Sequence, residues 1–455
     1  MPRLVVAGTA SGVGKTTAVV ALTRALRQRG LRVRNFKCGP DYLDPSYHAR
    51  ASGEPSENLD GWLMGRMAVQ ATFQRASVGS DVALIEGVMG LFDGADPTSD
   101  SGSTAEIAKW LSAPVLLVVD ASGMARSIAA LVQGYTGFDA ELRVAGVLAN
   151  RVGSRGHTDL LRRALATPPI LGGLERAPEF AFAERHLGLH AADEQALPER
   201  VVEAWAERAR EQCDLDQILS IARAAAPFSI DVSTPEPSRR TRCRIGLAHD
   251  AAFSFYYEDN LQRLLDSGAE LVRFSPMAAA RLPDVDGLYF GGGYPELHAA
   301  ELAANRTMLA DVRAFCASGR PVYAECGGLM YLSHAIRTLD GRRHALVGAL
   351  PGEARMFPRL QALGYVEVQT RQASPLGPSG TQFRGHQFRY SELEGGTETP
   401  VYELRRRRGA EVSFEGCLAG GVLGSYVHAH WASNPAIAAA FVSACERFAP
   451  GRVPS

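Results

Sequence analysis

The chain has 455 residues, 46% hydrophobic and 21% charged, with a formal net charge of −1 and a pI near 6.8. That composition describes a globular protein of two or three domains, each large enough to bury a core. The charge balance excludes a general attraction to nucleic acid or anionic membrane. Seven cysteines without a Cys-x-x-Cys pair exclude a disulfide framework and a cysteine zinc site.

No apolar run approaches the ~18 residues that span a bilayer. "MPRLVVAG" reads straight into a strand, without a leader, so the expected location is cytoplasmic, with no nucleic-acid or membrane partner. "RLVVAG" ends in a glycine loop, "TTAVVALTRALRQRG" has helical spacing and stops at Gly30, and "LRVRNF" alternates like a strand. This strand–loop–helix–strand order is a βαβ unit and implies a parallel sheet. Buried-strand runs follow at "VALIEG", "VLLVVD", "VAGVLAN" and "PILGGL".

A Pro- and Ser-rich stretch interrupts the pattern, and we read 226–242 as a linker. It divides a first domain, 1–225, from a second, 243–448. The second α/β series runs through "CRIGLAHD", "AELVRFSP", "DGLYFGGG", "RPVYAECGG" and "GVLGSYVHAH", and the halves share no internal repeat.

"GTASGVGKTT", residues 8–17, has Gly-Lys-Thr at the start of a helix, but its first glycine is Gly8, one residue earlier than the usual phosphate loop requires. Backbone N–H groups from Gly12, Gly14 and Thr17 would face phosphates, Lys15 supplies a point charge, and the Thr16 hydroxyl is a candidate Mg²⁺ ligand. The shifted glycine resembles the loop of dethiobiotin synthetase and its relatives, which implies phosphorylation of a carboxylate or carbamate.

Lysine occurs only at positions 15, 37 and 109 among 48 basic residues. Lys37, after the second strand, is therefore a candidate point charge for a transferred phosphoryl group. Glu86 ends "VALIE", where a strand delivers an acidic Mg²⁺ ligand. Asn150, with Arg151, ends another strand, where a nucleotide base would lie.

In the second domain "PVYAECGGLMYL" sets Cys326 on a sharp strand-to-helix turn. There it is exposed as a nucleophile, with the helix N-terminus lowering its pKa. His428, read as ending the strand "GSYVHAH", is the candidate base. Amides of Gly292, Gly293 and Gly327 are the expected oxyanion donors. This set resembles the triad-type (class I) glutamine amidotransferases. In many of those an acid follows the histidine by two residues, whereas here that position is His430, a departure shared by the corrinoid-amidating branch.

Along almost the whole chain the motifs resemble the cobyrinate a,c-diamide synthase family, which includes the hydrogenobyrinate enzymes. They are "KCGPDYLDPSYH", "SENLDGWLM", "EGVMGLFDG", "VVDASGMARSIAALVQGY", "ERHLGLH", "GGGYPELHA", "ECGGLMYL" and "RGHQFRYSEL". The resemblance implies a two-domain α/β fold: a dethiobiotin-synthetase-like phosphate-loop domain followed by an amidotransferase-like domain. It also implies a corrinoid acid, ATP and L-glutamine as substrates, with Mg²⁺ accompanying ATP. The a and c carboxylates would be activated as acyl phosphates, and ammonia released at Cys326 would travel between domains.

Asp41, Asp44 and Glu86 match acidic positions of the synthetase site, with Asp41 and Glu86 among the implied Mg²⁺ ligands. Tyr42 and Leu43 match positions that contact the corrin. On local grounds Asp41 and Asp44 are equally ordinary turn formers. His386 and Tyr390, in "GHQFRYS", match the family without a role that chemistry assigns.

Three other families share parts of this pattern. A ParA- or MinD-like switch ATPase would need a signature lysine within positions 9–13 and would have no use for Cys326. Cobyric acid synthase and the nickel-sirohydrochlorin enzyme share both domains. Cobalt content of the substrate, the order of amidation and the oligomeric state, with a homodimer among the options, stay open.

Overall fold

A computed structural model describes residues 1–176, 197–227, 240–407, 409 and 411–449. The "ERHLGLH" motif and most of the linker lie outside the described residues. The chain divides into two compact units, Met1–Ser233 and Thr234–Ser455. No helix among the described residues is long and apolar enough to cross a membrane.

The first unit runs β1 (Arg3–Gly8), α1 (Lys15–Gln28), β2 (Val33–Cys38), α2 (Leu43–Ser52), β3 (Glu57–Leu59), α3 (Gly61–Ala76) and β4 (Val82–Glu86). It continues through α4 (Thr104–Trp110), β5 (Val115–Asp120), α5 (Ser127–Phe138), β6 (Val144–Val152), α6 (Arg155–Ala164), β7 (Ile170–Glu175), α7 (Glu199–Gln212) and α8 (Leu215–Arg223). The seven strands form one parallel sheet, ordered β3-β2-β4-β1-β5-β6-β7. Every residue of β1 is buried, as expected for an apolar strand covered on both faces. The chain leaves β1 at the switch point of the sheet, where doubly wound folds open a ligand crevice beyond the strand ends. Asp60, Ser103 and Ser154 cap α3, α4 and α6 by accepting backbone N–H groups, each cap worth about 1 kcal/mol.

The second unit begins β8 (Cys243–Ala248), α9 (Glu258–Asp266), β9 (Ala269–Phe274), β10 (Gly287–Phe290), α10 (Ala299–Ala304), α11 (Arg306–Ala317), β11 (Val322–Glu325) and α12 (Gly327–Leu332). Shorter strands follow: β12 (Ala335–Arg337), β13 (Arg343–Ala345), β14 (Glu353–Met356), β15 (Ala362–Thr370), β16 (Gln382–Arg389) and β17 (Ser391–Glu394). The unit closes with β18 (Tyr402–Arg406), β19 (Val412–Glu415), β20 (Cys417–Ala419), β21 (Val422–Ser425), β22 (His428–His430) and α13 (Ala436–Glu446). Its main sheet, β20-β21-β11-β10-β8-β9, is parallel apart from β20. Alternation along β10 and β11 separates two cores. Leu288, Phe290, Val322 and Ala324 join one, and Tyr289 and Tyr323 join Trp431 and Phe441 in the other.

Two features depart from the sequence reading. Residues 335–430 carry a four-stranded and a five-stranded sheet, the latter wholly antiparallel. Apart from the buried β22, their strands have partly or fully exposed positions and lack the continuous apolar runs that revealed the parallel strands. "GVLGSYVHAH" is also not one strand. β21 stops at Ser425 in the parallel sheet, and β22 starts at His428 in the antiparallel one, paired with β16. His428 therefore opens a strand instead of closing one.

Candidate functional site

In the first unit the loop after β1 folds back tightly. A Cβ on Gly8 would lie 2.7 Å from Val13 and 3.1 Å from Lys15, so the early glycine is what lets the longer loop close. Gly14 has φ 94°, and a Cβ there would meet Asn150 Nδ2 at 2.1 Å. Asn150 Nδ2 in turn donates to Val13 O at 2.8 Å, and Arg151 Nη2 donates to Gly12 O at 2.7 Å. The end of β6 thus braces the loop backbone.

Lys15 is 7% exposed, and its Nζ donates to Ala10 O (3.0 Å) and Met89 O (2.6 Å). Burial and the nearby Lys37 lower the ammonium to about 8. It is a buried cation at the start of α1, held by two carbonyl oxygens. Thr17 follows Thr16 on α1, both half-buried.

Beside the loop lies a buried charge network. Thr16 Oγ1 donates to Glu86 Oε1 at 2.7 Å and approaches Asp44 Oδ1 at 3.3 Å. Lys37 Nζ bridges Asp44 Oδ2 (2.7 Å) and Glu86 Oε1 (2.9 Å), and also donates to Gly87 O. Burial would lower Lys37, but the two carboxylates hold it above its ordinary value. Burial would raise Glu86, but Lys37 and the His48 hydrogen bond hold it below the usual carboxylate range. Asp44 goes the other way, to about 6, through burial and the charges of Asp41 and Glu86. Asp41 acts on Asp44 and Lys37 by its charge, and its Oδ1 accepts the N–H groups of Leu43 and Asp44 and so shapes the start of α2. Tyr42 is half-buried there and Leu43 is buried.

His48 is a member that sequence reasoning missed. Its Nε2 is 2.5 Å from Glu86 Oε2 and its Nδ1 3.1 Å from Ser56 Oγ, in a fully buried position. The signal was the four-residue spacing from Asp44, which stacks both side chains on one face of α2.

In the second unit Cys326 sits between β11 and α12 at φ 47°, ψ −100°. This strained turn is how a strand presents a nucleophile. The nearby glycine run passes between the candidate groups. A Cβ on Gly292 would lie 2.4 Å from His428 Cε1, and one on Gly327 would lie 3.1 Å from Gly293 N. Gly292 N–H is already committed to Phe255 O at 3.3 Å. It therefore leaves the expected oxyanion set to Gly293 and Gly327.

The thiol also departs from expectation. Burial and the negative charge of Glu296 push Cys326 up to about 12, which the Gly327 amide does not offset. α12 has six residues, too short a dipole to win against burial. Burial lowers His428 to about 3, so at neutral pH its imidazole is uncharged and can accept a proton.

His386 finds its place here. It pairs across β16–β22 with His428, the rings stacked at 5.0 Å, and its Nδ1 is 2.9 Å from Tyr257 OH. Tyr390 accepts Phe357 N–H through its carbonyl, at the end of β16.

Residues 4–188 match the CobQ/CobB/MinD/ParA nucleotide binding domain, and residues 244–436 match the CobB/CobQ-like glutamine amidotransferase domain. Proteins named cobyrinate a,c-diamide synthase align along the whole chain. That of Leptospira interrogans serovar copenhageni is 51% identical, covering 98% of this chain and 99% of its own. The Syntrophotalea carbinolica protein is 50% identical over 98% of each chain. The Methanothermobacter thermautotrophicus protein is 41% identical, covering 96% of this chain and 98% of its own. The chain belongs to the cobyrinate a,c-diamide synthase family.

It is accordingly an enzyme, a ligase in which a nucleotide-binding domain precedes a glutamine amidotransferase domain. Membership in the cobyrinate a,c-diamide synthase family gives the two clusters a common setting. The buried Lys15–Lys37–Asp44–Glu86 group belongs to the nucleotide domain, and Cys326 and His428 belong to the amidotransferase domain.

Proposed function

We propose that the chain uses ATP and glutamine to amidate the a and c carboxylates of cobyrinate, or of its metal-free counterpart hydrogenobyrinate, in cobalamin biosynthesis. One observation carries this reading. A single chain holds a buried lysine at a phosphate-type loop and a cysteine at φ 47° on a strand-to-helix turn. The names of the full-length relatives supply the substrate.

In the first unit a substrate carboxylate oxygen attacks the γ-phosphorus, giving an acyl phosphate and ADP. Ammonia then attacks the acyl carbon, phosphate leaves, and a carboxamide remains. Lys15 pairs with the phosphates. Lys37, fixed by Asp44 and Glu86, neutralises charge where the phosphoryl group moves. Thr16 and Glu86, with Asp41 at the start of α2, are the proposed hard oxygen donors that would hold Mg²⁺. The ion would screen the phosphate charge during transfer. Tyr42 is the proposed corrin contact, with Leu43 anchoring the start of α2.

In the second unit the Cys326 sulfur attacks the glutamine amide carbon as its proton passes to His428. His428 returns a proton to the departing ammonia, and water hydrolyses the thioester to glutamate. Gly293 and Gly327 amides stabilise the oxyanion. A thiol raised by burial beside a neutral imidazole favours proton transfer during attack over a standing ion pair.

The test is a panel of acids: cobyrinate, hydrogenobyrinate, cobyrinate a,c-diamide and nickel-sirohydrochlorin. ATP hydrolysis and product mass are followed for each. Stimulation by cobyrinate or hydrogenobyrinate, with two nitrogens added, supports the reading. Preference for the diamide or for nickel-sirohydrochlorin would move the chain to one of the related activities.

A further inference from the structure

β22 is three residues long and borders the five-stranded sheet. His428 and His430 lie opposite His386 and Arg384 of β16, and Ala429 lies between them opposite Gly385. Antiparallel pairing alternates, so Ala429 turns its polar groups to the outer edge, which a neighbouring strand would ordinarily satisfy. Here two side chains replace that strand. Ala429 N–H donates to Glu325 Oε1 at 3.0 Å, and Asn260 Nδ2 donates to Ala429 O at 2.8 Å. Asn260 Oδ1 also accepts Trp431 N–H at 2.8 Å.

Glu325 is 1% exposed and immediately precedes Cys326. It accepts two further bonds, from Tyr323 OH at 2.7 Å and Tyr289 OH at 3.1 Å. Two strands of the parallel sheet therefore hold a carboxyl whose outer contact is the residue after His428. A buried carboxyl with this many donors is a costly way to stabilise a core. Its geometry ties the nucleophile's strand to the base's strand, which are otherwise in different sheets.

We propose that Glu325 is a positioning residue for glutamine hydrolysis, fixing His428 relative to Cys326 through the Ala429 amide. It would serve where the family's second histidine, His430, takes the place of an acid. The inference rests on the Cys326–His428 reading above, and the test separates the two.

Amidation is measured on the full chain, with glutamine and with ammonium chloride, for Glu325→Gln, Glu325→Ala and Cys326→Ala. Glutamine at 325 keeps a carbonyl acceptor for Ala429 N–H. Glu325→Gln should therefore keep the glutamine-dependent kcat within about threefold of the parent's. Glu325→Ala should lose about 10²-fold in glutamine-dependent kcat, the scale of a misplaced proton carrier, with KM for glutamine nearly unchanged. Its ammonia-dependent rate should match the parent's.

A parental kcat in Glu325→Ala overturns the inference. So does a Glu325→Gln enzyme as slow as the alanine variant, because the amide bond would survive there and the charge would be what matters. If Glu325→Ala does not fold, Glu325→Gln decides alone: a glutamine-dependent kcat within about threefold of the parent's supports positioning, and a larger loss overturns it. Glutamine-dependent turnover surviving in Cys326→Ala would sink the glutaminase reading itself, whatever Glu325 does.

Discussion

The Thr16 hydroxyl donates to Glu86 Oε1 at 2.7 Å, the same oxygen that takes the Lys37 ammonium at 2.9 Å. The first residues of α1, the end of β2 and the end of β4 thus meet at one carboxylate, next to the loop that carries Lys15. The loop is in this way joined to a charge network reaching α2 through Asp44 and His48.

Lys15→Ala should abolish amidation from glutamine and from ammonia alike, because both need the activated carboxylate. Glutamine hydrolysis in the other unit should persist. The check is product mass with each nitrogen source beside glutamate release. Ammonia-dependent product at a near-parental rate would remove the loop from the ATP site.

Asp44→Asn and Glu86→Gln each delete one charge facing Lys37. Either should lower the ammonia-dependent kcat by about 10²–10³, the usual loss for an electrostatic stabiliser. Glu86→Gln should also destabilise the first unit by about 3–5 kcal/mol, since it leaves buried partners unmatched. Steady-state kinetics and urea unfolding of each variant test both effects. A change confined to KM for glutamine would place these acids in other work.

The parallel strands were legible because strands buried on both faces are continuous apolar runs, as "VLLVVD" shows. The phosphate loop was legible because Gly-Lys-Thr followed such a strand. What the sequence hid depends on contacts across sheets. His428 looked like a strand end because "GVLGSYVHAH" has no turn signal after Ser425, and only pairing with β16 splits it at Tyr426–Val427. The thiol of Cys326 was expected low from its helix, but the extent of burial, which sequence does not report, reverses the sign. Glu325 lay in plain view two residues after Tyr323, on the same face of β11. Its importance appears only when Ala429 arrives from another sheet.

Burial pushes the Glu325 carboxyl up to about 7, against partial relief from Tyr323, the Ala429 amide and Tyr289. The folded state therefore binds the proton more tightly than the unfolded chain. The resulting stabilisation is full below the unfolded value and is lost as pH rises through about 7. The parent should lose stability relative to Glu325→Gln between about pH 5 and 8, by something of order 3 kcal/mol. Hydrogen exchange of residues 422–431 in both proteins across that range is the measurement. A difference independent of pH would show that the carboxyl is not raised.

One chain is proposed to carry two separable chemistries, carboxylate activation and ammonia release. Cys326→Ser, assayed for amidation of cobyrinate with glutamine and then with high ammonium chloride at raised pH, tests it most directly. Glutamine-dependent product should disappear and ammonia should restore it, since serine is a weak nucleophile beside an imidazole tuned for a thiol. Loss of both activities in folded protein would rule out this division of labour, because Cys326 would then serve the carboxylate-activating reaction itself.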